Sequence, residues 1–320
     1  MAKIKKIITV VIFVVFLSFV LLTIFQTTKE DKLVDVLIPK GSSPTTIAKI
    51  LKDSEVISSK NLFIALIKFY GYSTKLQAGL YSFNKREPLN TIIRRIKNGD
   101  SKNIKVTIPE GFNMKQIATV LAESKVCDRE KFINLVTEQN MEGFLFPNTY
   151  FFLPQMSEQE VINVMNEEFN RYWTKEKEER LRQINKSKKD IIILASIVEK
   201  EAVADNERPI IAGVFLNRLA KGMKLESCST VLYAMGISKE RLSLEDLKFD
   251  SPYNTYKYKG LPPGPICNPG AEAIDAVLYP EATDSLYFVS KGNGTHYFSS
   301  TFEQHVKNKI VSKKNKKNSR

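Results

Sequence analysis

The chain has 320 residues, 43% of them hydrophobic, and a net charge of +13 at pH 7. It is long enough for two or more domains, each with a core of its own. Two histidines nine residues apart, three cysteines and no Cys-x-x-Cys motif argue against a metal site, and nothing in the sequence indicates another cofactor.

The first feature along the chain is an uncharged run of nineteen residues, 7–25, which predicts one transmembrane helix. Lys3, Lys5 and Lys6 precede it, so the positive-inside rule leaves residues 1–6 in the cytoplasm. We therefore expect a single-pass protein of the cytoplasmic (inner) membrane with its bulk outside the cytoplasm. A cleaved signal peptide is disfavoured, because the run is long and no small-x-small cleavage site follows it.

Much of the positive charge lies at the C-terminus, where residues 309–320 predict a solvated, disordered basic tail. A basic chain can bind nucleic acid, but a domain outside the membrane does not meet it, so no nucleic-acid partner is expected. Anionic lipid head groups or acidic wall polymers are the expected electrostatic partners.

An internal repeat recurs at an offset of seventy residues. Val36-Leu-Ile-Pro-Lys-Gly41 matches Val106-Thr-Ile-Pro-Glu-Gly111, and nine of twenty-one positions in the two copies are identical. Each copy predicts a strand, a Pro/Gly turn and two helices, in units over 33–100 and 103–156. Small units of this kind resemble LysM modules, which bind N-acetylated glycans, although a duplicated scaffold without binding function fits the repeat equally well.

The third region, 157–308, mixes helices with a hairpin, so the predicted fold class is α+β. Its expected elements, in chain order, are a charged helix over 158–185, a buried helix over 191–202, a helix over 207–221, an extended segment over 225–230, a short helix over 231–235, a Pro/Gly loop over 253–270, and a hairpin turning at Lys291-Gly-Asn-Gly.

Two glutamates, Glu199 and Glu201, interrupt a helix that is apolar almost all round. Burial favours the protonated form of a carboxyl group, which suits a general acid. At 100° per residue the two lie about 200° apart and cannot face one pocket, so helix geometry does not choose between them. The alternative role is a buried ion pair, for which Arg218 on the next helix is the natural partner.

Eight motifs in this region occur in the order of one family. They are Leu194-Ala-Ser-Ile-Val-Glu-Lys-Glu201, Val214-Phe-Leu-Asn-Arg-Leu219, Gly222-Met-Lys-Leu225, Ser229-Thr-Val-Leu-Tyr233, Tyr253-Asn-Thr-Tyr256, Gly260-Leu-Pro-Pro-Gly264, Asn268-Pro-Gly270 and Leu286-Tyr-Phe-Val289. From the anchor through about residue 305, the chain resembles the endolytic murein transglycosylases, also called YceG-like or MltG proteins.

The resemblance implies that Glu199 is the catalytic residue. It also implies a bacterial, membrane-anchored lyase that cuts the β-1,4 bond between N-acetylmuramic acid and N-acetylglucosamine in nascent peptidoglycan. Such an enzyme leaves 1,6-anhydro ends and limits glycan length beside the peptidoglycan synthases. Residues 157–308 would be its catalytic domain.

Further residues are candidates by chemistry and position. We expect six of them to contact N-acetyl sugars: Tyr253, Asn254, Tyr256, Glu226, Ser229 and Thr230. Asn217 and Arg218 are expected to orient Glu201 as structural support. Cys228 and Cys267 share an oxidising compartment and one half of the chain, so we predict a disulfide between them, with three buried thiols as the alternative. Cysteine at both positions departs from the family's pattern.

One glutamate suffices only if the substrate supplies the nucleophile, because ordinary glycosidases use two carboxylates about 5–10 Å apart. We expect Glu199 to protonate the leaving oxygen and then to accept the proton of the C6 hydroxyl, while the N-acetyl group stabilises the anomeric centre. Two alternatives stay open. One is a non-catalytic glycan-binding scaffold for wall synthases. The second is an ordinary hydrolase whose second carboxylate is Glu226 or Asp250.

Overall fold

The structure is a computed structural model that describes Ser18 and residues 31–154, 156–239 and 241–318, with side chains through residue 315. Within this part of the chain, no helix is long and apolar enough to cross a membrane. The predicted transmembrane segment, 7–25, lies outside the described residues except for Ser18.

The chain forms two compact units that divide between Ile104 and Lys105. The first contains β1 (Leu33–Ile38), α1 (Pro44–Asp53), α2 (Lys60–Phe69), β2 (Gly79–Asn84) and α3 (Leu89–Asn98). The two strands pair antiparallel, and the helices bury their apolar faces against them around Phe63 and Tyr81. Ser43 caps the start of α1 by accepting a hydrogen bond from the Thr46 N–H.

The second unit begins one residue into β3 (Ile104–Ile108), the first strand of the second copy of the repeat. This copy also contains α4 (Met114–Glu123), α5 (Arg129–Glu138) and β4 (Asn148–Phe152). Strands β3 and β4 pair with each other, as β1 and β2 do. Both copies therefore have a strand followed by two helices, in the order that the repeat predicts. The likeness to LysM modules stays a prediction.

The remainder of the second unit is mainly helical. It contains α6 (Glu158–Tyr172), α7 (Lys175–Ile184), α8 (Lys188–Glu201), α9 (Arg208–Ala220), α10 (Cys228–Met235), α11 (Ala271–Leu278), the antiparallel hairpin of β5 (Tyr287–Ser290) and β6 (His296–Ser299), and α12 (Phe302–Asn318), with single 3-10 turns at Asp205–Glu207 and Asp246–Lys248. The α+β class is as predicted.

Helix α8 lies at the centre of this unit. Every residue from Ile191 to Val198 is buried, as its all-round apolar sequence predicts, and the helix packs against α9 and α11. Its isoleucine run has only modest helix propensity, so burial on all sides is what stabilises it. Ser187 caps its start by accepting from the Asp190 N–H at 3.0 Å. The last turn of this buried helix carries both glutamates.

Three predicted elements are wrong in detail. The helix over 158–185 is two helices, because Trp173 turns into the core and Thr174 begins a new one. The segment over 225–230 is not extended throughout, since α10 already starts at Cys228. The tail predicted to be disordered is instead helical, because α12 continues through Asn318. Ser312 holds this helix to the hairpin by donating to the Ser290 carbonyl at 2.6 Å.

Candidate functional site

Glu199 lies in the last turn of α8, with its side chain only 7% exposed. One carboxylate oxygen accepts a hydrogen bond from the Gly270 N–H at 3.0 Å, and the other lies 3.3 Å from Arg208 Nη2. Gly270 caps the N-terminus of α11 and Arg208 is the first residue of α9. Three helix ends therefore meet at this carboxylate.

Arg208 connects Glu199 to two exposed acids. Its Nη1 donates to Asp205 and, at 3.2 Å, to Glu272, while its Nε has no partner among the described residues. Burial works to lower the pKa of Arg208, but hydrogen bonds and charge attraction from Asp205 and Glu199 raise it overall. Arg208 is thus cationic. It is the ion-pair partner of Glu199, a role that the sequence predicts for Arg218. Nothing in the local pattern singles Arg208 out.

A second carboxylate, that of Glu110, stands beside the same glycine. A side chain on Gly270 would have its Cβ 2.0 Å from Glu110 Oε1, so glycine is what allows the approach. Partial burial raises the pKa of Glu110, and the charge of Glu199 raises it further. A comparison of the two repeat copies could have singled out Glu110, because the otherwise similar turn of the first copy has Lys40 at the matching position.

Glu201 points to different partners. Its Oε1 accepts from the hydroxyls of Ser227 at 2.5 Å and Ser229 at 3.1 Å. None of these groups contacts Glu199. The two glutamates therefore face apart, as their spacing on the helix predicts.

A cleft of about 610 Å³ opens between the second repeat copy and the C-terminal region. Gly111, Lys200, Ser229 and Tyr253 are among its lining residues. A Cβ on Gly111 would lie 3.4 Å from Glu199 Cγ, and Ser229 binds Glu201. Each glutamate thus lies next to a residue that lines the cleft, Glu199 next to Gly111 and Glu201 next to Ser229.

The wall of the cleft holds one buried carboxylate, Glu142, which is 8% exposed. It accepts hydrogen bonds from the Met114 N–H at 3.0 Å, from Asn268 at 2.8 Å and from the Tyr233 hydroxyl at 3.3 Å. Burial raises the pKa of Glu142 to about 7, although these hydrogen bonds oppose the shift. Glu142 joins the start of α4 to the loop after residue 260, and neither it nor Asn268 is among the predicted site residues.

The six predicted sugar contacts separate into groups. Tyr253 and Ser229 line the cleft. Asn254 and Thr230 are completely buried, so the structure contradicts direct contact with a substrate. The Asn254 amide instead donates to the carbonyls of Leu247 and Phe249, and Thr230 donates to the Ser227 carbonyl.

The remaining two predicted contacts, Glu226 and Tyr256, do not line the cleft. Glu226 pairs with Arg218 at 3.1 Å. The Tyr256 hydroxyl lies 3.1 Å from Cys228 Sγ. Both have protein partners where a sugar was expected.

The predicted support of Glu201 by Asn217 and Arg218 is wrong. The Asn217 amide donates to the carbonyls of Thr283 and Ser285, and Arg218 donates to the carbonyls of Lys224, Leu225 and Leu286. Both residues hold loops against α9, because a polar group this far inside must satisfy its donors locally.

The predicted disulfide is also wrong, since all three cysteines are free thiols. Cys267 is buried and donates to the Ser196 carbonyl of α8 at 3.3 Å, whereas Cys228 is exposed beside Tyr256. Each thiol thus has a separate neighbour. In the part of the chain that the structure describes, no group of three or more histidines, cysteines or acids could hold a metal ion.

The fold and the site define an α+β protein in which a duplicated strand–helix–helix unit leads into a helical domain with a carboxylate-flanked cleft. A family model described as the YceG-like family matches residues 36–310. The chain belongs to this family.

Named relatives agree with that assignment. The chain is 39% identical over 313 residues to an endolytic murein transglycosylase of Bacillus subtilis (strain 168), an alignment covering 89% of this chain and 86% of that protein. It is 29% identical to the endolytic murein transglycosylase of Streptococcus pneumoniae strain D39, over 87% of this chain but only 58% of that longer protein.

A solved structure has the same fold. The crystal structure of a YceG-like protein from Listeria monocytogenes aligns with a TM-score of 0.59 and 33% sequence identity. The alignment covers 87% of this chain and 99% of that one.

Proposed function

We propose that the protein is an endolytic lytic transglycosylase that cuts the β-1,4 bond between N-acetylmuramic acid and N-acetylglucosamine in nascent peptidoglycan. It leaves 1,6-anhydro ends and so terminates glycan elongation. Residues 7–25 anchor it in the cytoplasmic membrane, its catalytic domain lies outside the cytoplasm, and peptidoglycan synthases are its partners. Family membership supports the proposal, and the buried Glu199 carboxylate beside the cleft is the structural observation that carries it.

The reaction needs one group that gives a proton and later takes one. Glu199 protonates the glycosidic oxygen as its bond to the anomeric carbon breaks, and the substrate's N-acetyl carbonyl stabilises the positive centre. The resulting carboxylate then takes the proton of the C6 hydroxyl, whose oxygen bonds to the anomeric carbon. No water is consumed, and the 7% exposure of Glu199 suits a step from which water must be excluded.

Arg208 is placed to act on the carboxylate that the first proton transfer leaves. Its guanidinium lies 3.3 Å from Glu199, where its positive charge attracts that anion. Because Arg208 also contacts Asp205 and Glu272, it keeps anionic partners when Glu199 carries a proton.

Glu201 is the alternative acid. Among the described residues its carboxylate contacts only the hydroxyls of Ser227 and Ser229, which can donate to the ionised form and accept from the protonated one. Ser229 also lines the cleft. The resemblance favours Glu199, and matched glutamine variants at the two positions test this assignment.

An ordinary hydrolase is the second candidate function. Its second carboxylate is expected at a different residue from the two that the sequence indicates. Glu226 is paired with Arg218, and Asp250 is paired with Lys257 on the surface. Glu110 instead adjoins Glu199 across Gly270, where a second carboxylate could activate water.

Digestion of purified glycan strands by the full chain in ¹⁸O-labelled water, followed by mass spectrometry of the new ends, tests these proposals. Lytic cleavage gives unlabelled anhydro ends, whereas hydrolysis gives reducing ends that contain ¹⁸O. Glu199→Gln is expected to lower the rate at least about 100-fold, and Glu201→Gln much less. The opposite ranking transfers the acid role to Glu201.

The same digestion also tests for a hydrolase and for a non-catalytic scaffold. Labelled ends that disappear with Glu110→Gln establish the hydrolase. Binding of strands without cleavage of any kind establishes the scaffold and overturns the proposed activity.

A further inference from the structure

More cations than carboxylates line the cleft beside the two glutamates. Among its described lining residues are four cations, Lys115, Arg129, Lys200 and Lys239, against the single carboxylate of Glu142. A wall of one sign raises the local concentration of a ligand of the opposite sign. The charge therefore favours an anionic ligand.

Two of these cations are already neutralised by partners. Arg129 pairs with Glu130, and Lys239 pairs with Asp246 at 2.5 Å. They help to shape the rim but have little charge left for a ligand.

The other two cations, Lys115 and Lys200, have no carboxylate within ion-pair distance among the residues that the structure describes. Both are exposed. Lys200 contacts the Gly111 carbonyl at 3.4 Å, and Lys115 Nζ would lie 3.6 Å from a Cβ on Gly236. They flank the cleft as ammonium groups whose charge no carboxylate of the described residues neutralises.

In a peptide-bearing strand the lactyl carboxyl of each muramoyl unit forms the amide bond to the peptide, so the glycan backbone itself has no charge for these lysines to bind. The anionic groups of peptidoglycan are the carboxylates of the peptides attached to its muramoyl units. We propose that Lys115 and Lys200 bind carboxylates of the stem peptide on the muramoyl unit beside the cut bond, so that the enzyme selects peptide-bearing strands over denuded ones. This inference rests on the proposed function.

The position of the cleft agrees with that substrate. Lys200 lies between Glu199 and Glu201 in the chain. It donates to the Gly111 carbonyl, and a Cβ on Gly111 would lie 3.4 Å from Glu199 Cγ. Ser229, the partner of Glu201, lines the same cleft. A peptide held here lies beside residues next to both candidate acids, so the inference does not depend on which of them reacts.

The shape of the cleft also favours a peptide. About 610 Å³ exceeds what a single carboxylate fills, and the lining includes Asn113, Gln116 and Tyr253, which can bond amides or pack on side chains. The lipid-linked pyrophosphate at the end of a nascent strand is a different anion, and the experiment distinguishes it.

The test compares two size-matched pools of glycan strands. One has intact stem peptides, and the other is stripped by an amidase, after which the freed lactyl carboxylates are converted to neutral amides. For each pool, kcat/KM is measured for release of anhydro ends. The wild type is expected to prefer peptide-bearing strands at least about tenfold. Lys115→Gln and Lys200→Gln are each expected to lower that ratio about threefold to tenfold, mainly through KM, and added salt lowers it in the wild type.

Lys221→Gln, an exposed lysine at the end of α9 outside the cleft, is the matched control and leaves the ratio unchanged. A wild-type ratio near one, or variants that slow both pools equally, overturns the inference. The inference is also overturned if the effect of the lysine variants appears only on strands that end in the lipid-linked pyrophosphate and is absent on strands without it. Anhydro ends from denuded strands show that the proposed function survives such a failure, whereas no anhydro ends from either pool mean that the function itself has failed.

Discussion

Arg208 and Glu199 form an ion pair, with 3.3 Å between Nη2 and Oε1, in which both side chains are less than one-tenth exposed. The other two acids on Arg208 are different, since Asp205 is 74% exposed and Glu272 is 63% exposed. Loss of the arginine lets these two turn to water but leaves Glu199 buried without a cation. A charge stranded in this way keeps its desolvation cost.

We therefore predict that Arg208→Met lowers the free energy of unfolding at pH 7 by about 2–4 kcal/mol. Adding Glu199→Gln to this variant removes the stranded charge and recovers most of the loss, so the double-mutant cycle is strongly non-additive. Urea denaturation of the four proteins measures this. Arg182→Met is the control, because its exposed pair with Glu179 contributes less than about 1 kcal/mol. Additive effects at 199 and 208 would contradict the prediction.

Glu142 predicts a pH dependence of stability. Its pKa rises from 4.5 to about 7 on folding, chiefly because the carboxyl is buried. Between these values the folded protein holds a proton that the unfolded chain has released. Stability from this group is complete below about pH 4.5, declines as the pH rises, and is lost above about pH 7.

We expect the difference in unfolding free energy between wild type and Glu142→Gln to shift by about 2 kcal/mol between pH 5 and pH 8, at the expense of the wild type. Denaturation curves of both proteins at several pH values measure it. Glu130→Gln, on the exposed face of α5, provides the control without such a shift. A wild-type–variant difference that does not change with pH would show that Glu142 titrates normally.

Much of the fold follows from local sequence patterns. The repeat fixes the order of β1, α1 and α2 and of their counterparts, because each copy contains its own turn signals and apolar periodicity. Helix α8 and the final hairpin are predictable for the same reason. The opposed directions of Glu199 and Glu201 need only the helical repeat of 100° per residue.

The contacts that build the site are harder to predict, because they join distant parts of the chain. Glu110 and Gly270 are 160 residues apart, and no local pattern reports that they touch. Arg208 is close to Glu199 in sequence, but Arg218 is an equally reasonable partner until the angle between α8 and α9 is known. Asn254 illustrates the opposite error, since an amide suited to N-acetyl groups is equally suited to bonding its own loop.

Asn268 lies in the loop after residue 260, which it joins to the second repeat copy, and it is completely buried. Its carbonyl oxygen accepts from the N–H groups of Gly143 and Leu145, both at 2.9 Å, and its amide donates to the Phe112 carbonyl and to Glu142. Removal of this side chain leaves two buried N–H groups without partners, a state that costs about 1–3 kcal/mol for each group.

We predict that Asn268→Ala lowers the free energy of unfolding by about 2–4 kcal/mol. Asn268→Asp keeps the acceptor but places a second carboxylate against Glu142, so its loss is expected to be larger at pH 8 than at pH 5. Thermal and urea unfolding of both variants measure this, with the exposed Asn163→Ala as the control. Near-wild-type stability of Asn268→Ala would mean that this hydrogen-bond network does not hold the two parts together.

The free cysteines predict a specific labelling pattern. Cys228 is exposed, Cys127 is partly buried and Cys267 is buried, so a thiol-reactive mass tag is expected to modify Cys228 first in the native protein. Partial desolvation of the thiol by its neighbours and the charge of Glu201 raise the pKa of Cys228, which makes labelling faster as the pH rises. After denaturation, three tags are expected with or without reductant. Only one tag without reductant would establish a bridge between two cysteines, and Cys228→Ser, which removes the fast native site, is the control.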